Sequence, residues 1–268
     1  MKTQRDNTGA PAPSNRMSAL PPSPAAPPTL VSELAHVARL HEERRANPIL
    51  AGALQRVADW QARRLRTTYA DLAAQPRYVS AIEFFENDLY GGGDFARRDA
   101  DLARVMPVMS RMLPAGVIAT VGKAVELNAL SQELDRLLLA RLPRPDGRFT
   151  VAEYCRAFRR MGHLSDRARQ IALIGEIGTA LDHYMDKPLI HGALRMMRQP
   201  ARLAGLEALQ HFLERGVGAF RRMHGADLFL ATIAARETAL VETIFAGEMA
   251  PFPDPVDALR PAVAPPAA

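Results

Sequence analysis

No stretch of this chain alternates β-branched or aromatic residues with polar ones for long enough to make a strand. Apolar residues instead recur three, four and seven apart almost throughout, the spacing that lines one face of a helix. With Ala, Leu, Arg and Met abundant, the pattern restricts the chain to an all-α fold. Hydrophobic faces of separate helices must then bury one another, so a single multi-helix, bundle-like domain is expected.

Prolines and glycines divide the pattern into about ten helices. Thr29 or Ser32 opens the first, to about Ala46, and Pro48 the second, to about Ala74. Pro76 opens a third that stops at Gly91, Gly92 and Gly93, where left-handed backbone costs little. Asp94 caps a fourth, which Pro107 should kink. Pro114 begins a long fifth to about Ala140, Thr150 caps "VAEYCRAFRRMG", and Ser165 caps another to about Met185. Pro188 starts a short helix ending before Pro200, and helices over Ala201–Met223 and Ala226–Phe245 complete the set. Residues 1–28 and 248–268 are Pro/Ala-rich and read as disordered tails around a domain at 29–247.

The formal charge of +5 is spread over the centre, because the two ends cancel. A mild excess of this kind assists solubility and is weak support for nucleic-acid binding. Cys155 is the single cysteine, which excludes an internal disulfide and a cysteine-based metal site. The most apolar run, "AGVIATVGKAVELNALS", is broken by Lys123 and Glu126, so no membrane span is expected. The first residues lack the apolar core of a secretory signal, and a cytoplasmic protein is expected.

Several polar residues interrupt apolar stripes. Glu237 lies four after Ile233 and three before Leu240, in the middle of the last helix's apolar face. A carboxylate buried there without a partner would cost several kcal/mol or give up its charge. Arg98 and Asp99 share the arc of Phe95, Leu102 and Val105, while Gln61 sits on the line of Leu54, Val57, Leu65 and Thr68, and Gln210 on that of Leu203, Leu206, Leu213 and Val217. Glu86 shares the face of Ile82 and Leu89. These groups are expected to meet in one buried cluster, either as a network that fixes how helices dock or as the lining of a ligand or active-site pocket. In the second role Arg98 would grip an anion and Glu237 exchange a proton.

Sharper motifs carry less. The glycine run lacks a P-loop Lys-Ser/Thr, and Asp94 would occupy the amides an anion needs. Glu33 and His36 form the one Glu-x-x-His pair, short of a di-iron set. Glu207, His211 and Glu214 share a helical face that reads as solvated, and Asp182 with Asp186 is a single Asp pair. Neither a metal nor a cofactor is expected. His183, His191 and His224 have no nucleophile at meaningful spacing, and Cys155 reads as a packed thiol. Met106, Met109 and Met112, with Met196 and Met197, suit core filling or an adaptable binding surface. Gly175, Gly178, Gly216 and Gly218 suit close helix approach, and Trp60, Tyr69 and Tyr90 suit packing anchors.

At "WQARRLRTTYADL", "RYVSAIEFFENDLYGGGDFARRDADLARV" and "MRQPARLAGLEALQHFLERGVGAFRRM" the chain resembles a family of uncharacterised, mainly proteobacterial proteins with an FFxxDLYGxxDFxxRD signature. Its residues here are Phe84, Phe85, Asp88, Leu89, Tyr90, Gly91, Asp94, Phe95, Arg98 and Asp99. Gly92 stands where a proline often follows the first glycine. The resemblance implies no activity, substrate or cofactor. Three function classes therefore stay open: a non-catalytic helical binding protein, dimeric or with a helical partner; an enzyme or small-molecule binder with a pocket near Arg98, Asp99 and Glu237; and a nucleic-acid-associated regulator.

Overall fold

Helix boundaries follow the punctuation closely. The computed structural model describes residues 30–90, 95–144, 148–185 and 187–255. Helix α1 (Leu30–Ala46) hands over to α2 (Pro48–Thr68) at Asn47, whose side chain accepts from the Leu50 amide at 3.0 Å. α3 (Ala70–Ala73) and α4 (Val79–Phe84) are short, and α4 widens into a π-helix over Phe85–Tyr90. Then come α5 (Phe95–Met112), which runs on past Pro107, and α6 (Ala115–Leu139). Thr150 and Glu153 bond reciprocally to open α7 (Val151–Met161). The remaining helices are α8 (Leu164–Met185), α9 (Pro188–Leu203), α10 (Glu207–Met223) and α11 (Asp227–Ala246). The all-α expectation holds. Among the described residues there is no strand, and no helix is long and apolar enough to cross a membrane.

Four boundaries differ from the sequence reading, each for a local reason, the fourth being the start of α10, at Glu207 rather than Ala201 because α9 takes up the residues to Leu203. α2 stops at Thr68 because Tyr69 leaves helical geometry and turns its ring into the interior, where it is 1% exposed. The third expected helix begins only at Val79 and changes its winding at Phe85. α9 passes through Pro200 and ends at Leu203, just before Gly205, which has a φ of 69° that a side chain would resist. Leu203 therefore belongs to α9 and is exposed, so it does not mark the inward line of α10.

Two hydrophobic clusters form the core. One joins the first half of α2 (Leu54, Val57, Trp60) to the end of α6, to α7, and to Val241 and Ile244 of α11. The other joins Leu65, Tyr69 and Leu72 to α4, Phe85, the end of α10, and Phe229, Leu230 and Ile233 of α11. α2 and α11 thus run through both, and on each helix the polar residues Gln61, Arg64 and Glu237 fall between the two apolar stretches. A smaller cluster of Val37, Val125 and Ala129 fixes α1 on α6. α8 crosses α11 closely: a methyl group on Gly178 would overlap Leu230, whereas Gly175 faces open space. Gly216 similarly leaves room for the Phe84 ring, while nothing lies near Gly218.

Past α11, Met249 and Phe252 pack against the first cluster, with Phe252 edge-on to Trp60 at 5.9 Å, and Pro255 is buried. The packed body therefore reaches into the segment expected as tail after residue 247. The apolar residues of "PFPDP" can cover Trp60 without extending the helix.

Candidate functional site

The gap between the two apolar clusters is filled by a polar layer. Arg64, only 6% exposed, meets Glu237 in a two-bond pair at 2.5 and 3.0 Å. The Tyr69 hydroxyl donates to the same carboxylate at 2.7 Å. One turn back on α2, Gln61 donates to Asp135 of α6 at 2.7 Å and accepts from the Tyr154 hydroxyl. Arg167 of α8 bonds Gln170 at 2.9 Å and lies over the Phe158 ring at 4.6 Å. Gln170 continues to Ser131 at 2.7 Å. The charge on Arg167 reaches both Glu237 and Asp135.

Electrostatics within the layer are divided. Burial pushes the Glu237 carboxyl up, but the charge and hydrogen bonds of Arg64, with Tyr69, outweigh it and hold Glu237 below its ordinary value. Asp135 has weaker support, and burial holds it above its ordinary value despite Gln61 and Arg167. The Tyr154 phenol is pushed up to about 12, chiefly by burial. Cys155, in the apolar cluster beside it, is pushed up to about 11 by burial and so stays an unreactive thiol at neutral pH.

Beside Glu237 lies a cavity of about 30 Å³, bounded by Tyr69, Phe85, Gln170 and Ile233 among others. That is the space of one water molecule. Nothing the size of a metabolite fits.

The charges that open α5 go elsewhere. Asp99 accepts from Asn128 at 2.7 Å and from Arg98 at 3.0 Å, and sits 2.8 Å from the His41 ring. Burial raises its carboxyl, but the His41 bond, Arg98 and Asn128 together bring it below its ordinary value. Arg98 also donates to the Asp88 carbonyl at 3.1 Å and lies over Phe212 at 4.6 Å. The Arg215 Nε–H is shared between the two Asp88 carboxylate oxygens at 2.9 and 3.0 Å and the Nη2 group donates to one of them as well, while Glu86 is held from the other side by Arg66 at 2.7 to 3.0 Å. The π-helix is thus clamped between α2 and α10 by carboxylates pointing in opposite directions.

The expected single cluster is therefore resolved into separate groups. Gln61 and Glu237 share the polar layer. Arg98 and Asp99 do not reach Glu237, because α5 docks its charged face on α1 and α6, where His41 and Asn128 meet it. Gln210 is buried but turns to the Leu194 carbonyl and Glu214, both at 2.8 Å. Phe84 and Phe85 pack in the second cluster. Gly91, Asp94 and the side chains of Tyr90 and Phe95 lie outside the described residues. Among the described residues, no three His, Cys, Asp or Glu side chains gather as a metal site.

Sequence reasoning passed over Arg64, Asp135, Arg167 and His41, and read Tyr69 as a packing anchor without its partner Glu237. Arg64 follows Val57 by seven and Gln61 by three, and Arg167 precedes Ile174 by seven. The stripe rule that singled out Glu237 would have found both.

The lowered carboxyls set a pH dependence. Groups whose folded pKa lies below the unfolded value stabilise the fold above that value and lose the contribution as pH falls through the folded one. Glu237 and Asp99 are of this kind. Asp135 opposes them, favouring its protonated form in the fold. The urea midpoint should fall as pH drops from neutrality through the carboxylate range, and Asp99→Asn should make that slope shallower. An acid slope unchanged by the substitution would show that Asp99 carries no such linkage.

A family model described as a domain of unknown function (DUF8198) matches residues 40–251. No curated protein and no solved structure matches the chain.

Proposed function

The chain belongs to this family, which is defined without a function, and we propose that it is a non-catalytic helical binding protein whose buried ionic groups serve the fold. One observation carries the reading: Glu237, the carboxylate best placed for chemistry, is saturated by Arg64 and Tyr69 beside a space of about 30 Å³. A catalytic acid or base must be within hydrogen-bond reach of a substrate, and the space beside Glu237 matches a water molecule in size rather than a substrate. In this reading the Phe84-to-Asp99 signature is the family's structural lock, fastening the π-helix and α5 through Asp88, Arg98 and Asp99. The protein works in the bacterial cytoplasm, a setting that suits the single buried thiol.

Glu237→Gln tests the proposal. As a structural member its loss should lower the unfolding temperature by about 4–8 °C, taking roughly 2 kcal/mol for a weakened charged pair in a chain of this size. Native mass spectrometry of both proteins should show the same bound species, if any. Unchanged stability, together with loss of a small molecule retained by the wild type, would instead identify a ligand site and overturn the reading.

A further inference from the structure

A large concavity among the described residues lies on the opposite side of α10 from the core. His211, Arg215, Gly218 and Arg222 form one stripe of that helix and make a floor. Ser80, Glu83 and Asn87, one line along α4 and the π-helix, make one wall, and α9 makes the other with Leu194, Arg195 and Arg198. The central part measures about 730 Å³ and continues into spaces of about 340 and 500 Å³, all three sharing Arg198 and Glu214. Gly218 leaves the floor bare, and a side-chain carbon added there would meet nothing within 4 Å.

The groove's charge is uneven. Six arginines line it against four carboxylates. Arg198 is taken by Glu214 and Arg215 by Asp88, and Arg202 stands 3.7 Å from Glu207. Arg195 and Arg221 have no side-chain partner among the described residues, and Arg222 donates only to the Ser80 hydroxyl at 2.7 Å. Three guanidinium groups with no carboxylate partner therefore converge from α9 and α10.

We infer that this groove docks an acidic segment of a partner protein, which sets carboxylates against Arg195, Arg221 and Arg222. The inference rests on the reading of the chain as a binding protein and names its surface. Charge complementarity selects the partner. A nucleic acid would bring phosphates against Glu83, Asp88, Glu207 and Glu214, and Phe84, the aromatic of the lining, is buried and offers no face for base stacking. A bilayer is flat and would not reach the floor at Gly218. An acidic helix or strand is narrow enough to lie between the walls, and its sparse charges can avoid the four carboxylates.

Fluorescence anisotropy of the full chain tests this with a labelled Glu-rich peptide. A control peptide replaces every Glu by Gln. The acidic peptide should bind saturably and more weakly as salt rises, and the control should not bind. Arg195→Glu, Arg221→Glu and Arg222→Glu combined should weaken binding about tenfold or more, since each exposed attraction becomes a repulsion. All three side chains are at the surface, so circular dichroism should show the fold unchanged. Met196→Ser with Leu203→Ser, on the far side of α9 from the groove, should leave binding unchanged. Absent binding, equal affinity after charge reversal, or tighter binding of single-stranded DNA or of phosphatidylserine vesicles would each overturn the assignment. None of these would disturb the Glu237 result, so failure of the groove and failure of the non-catalytic reading are told apart.

Discussion

Arg64→Met should lower the free energy of unfolding by about 3–5 kcal/mol, the loss typical when one member of a buried ion pair is removed. The side chains of Arg64 and Glu237 are only 7% and 15% exposed, so water cannot replace the missing guanidinium at little cost. Two effects act in opposite directions on the carboxylate left behind. Its two-bond partner is gone, but the Tyr69 hydroxyl remains at 2.7 Å and Arg167 still acts on it. The first is larger, because Arg64 supplies both the nearest charge and two of the three hydrogen bonds. Lysine should not substitute, since an ammonium cannot form the parallel pair. Adding Glu237→Leu to Arg64→Met should recover much of the loss, as no lone charge is then buried. Urea unfolding of the four proteins in a double-mutant cycle measures this. A loss under about 1 kcal/mol for Arg64→Met would class the pair with solvated surface bridges and remove the polar layer from the account of stability.

Phe229→Ala should cost a similar amount, about 3–5 kcal/mol, through a different mechanism. Phe229 is 0% exposed, with the rings of Tyr78 at 5.5 Å and Phe85 at 5.8 Å. Truncation removes apolar area from the second cluster and leaves a void against two rings that helices hold in place. Phe85 opens the π-helix, so the loss should also loosen that turn. Hydrogen exchange of the amides over Phe85–Tyr90 should accelerate more than that of α7, which packs in the other cluster. Leu228→Ala is the control: the side chain is 66% exposed, and its loss should stay within about 0.5 kcal/mol. If both substitutions cost the same, the second cluster does not have its centre at Phe229.

Much of this architecture can be read from residue spacing. Caps and prolines mark most helix ends, as at Asn47–Pro48 and Thr150, because they act over one turn and need no distant partner. The inward direction of Glu237 is legible for the same reason. What spacing cannot supply is the partner. Glu237 faces the core at a height along α11 matched by Arg64 on α2, and only the docking of those helices sets the match. Arg98 has the same helical signature as Arg64 but sits on α5, whose face meets α1, α6 and α10. The π-helix is equally hidden: it carries two carboxylates two residues apart, Glu86 and Asp88, whose partners Arg66 and Arg215 lie on different helices. Gln210 is buried as expected although Leu203 and Leu206 flank a chain reversal, so a correct exposure came partly from residues outside its helix.

The ionic seam across α2 and α11 has a consequence for how the molecule tolerates change. Trp60 and Phe229 belong to apolar masses with no member in common, so injuries to the two should sum almost independently. A substitution at Arg64 or Glu237 borders both, and its effect should depend on the state of each. Lineages carrying this domain are then free to rework either oily half alone, while the seam can change only in concert.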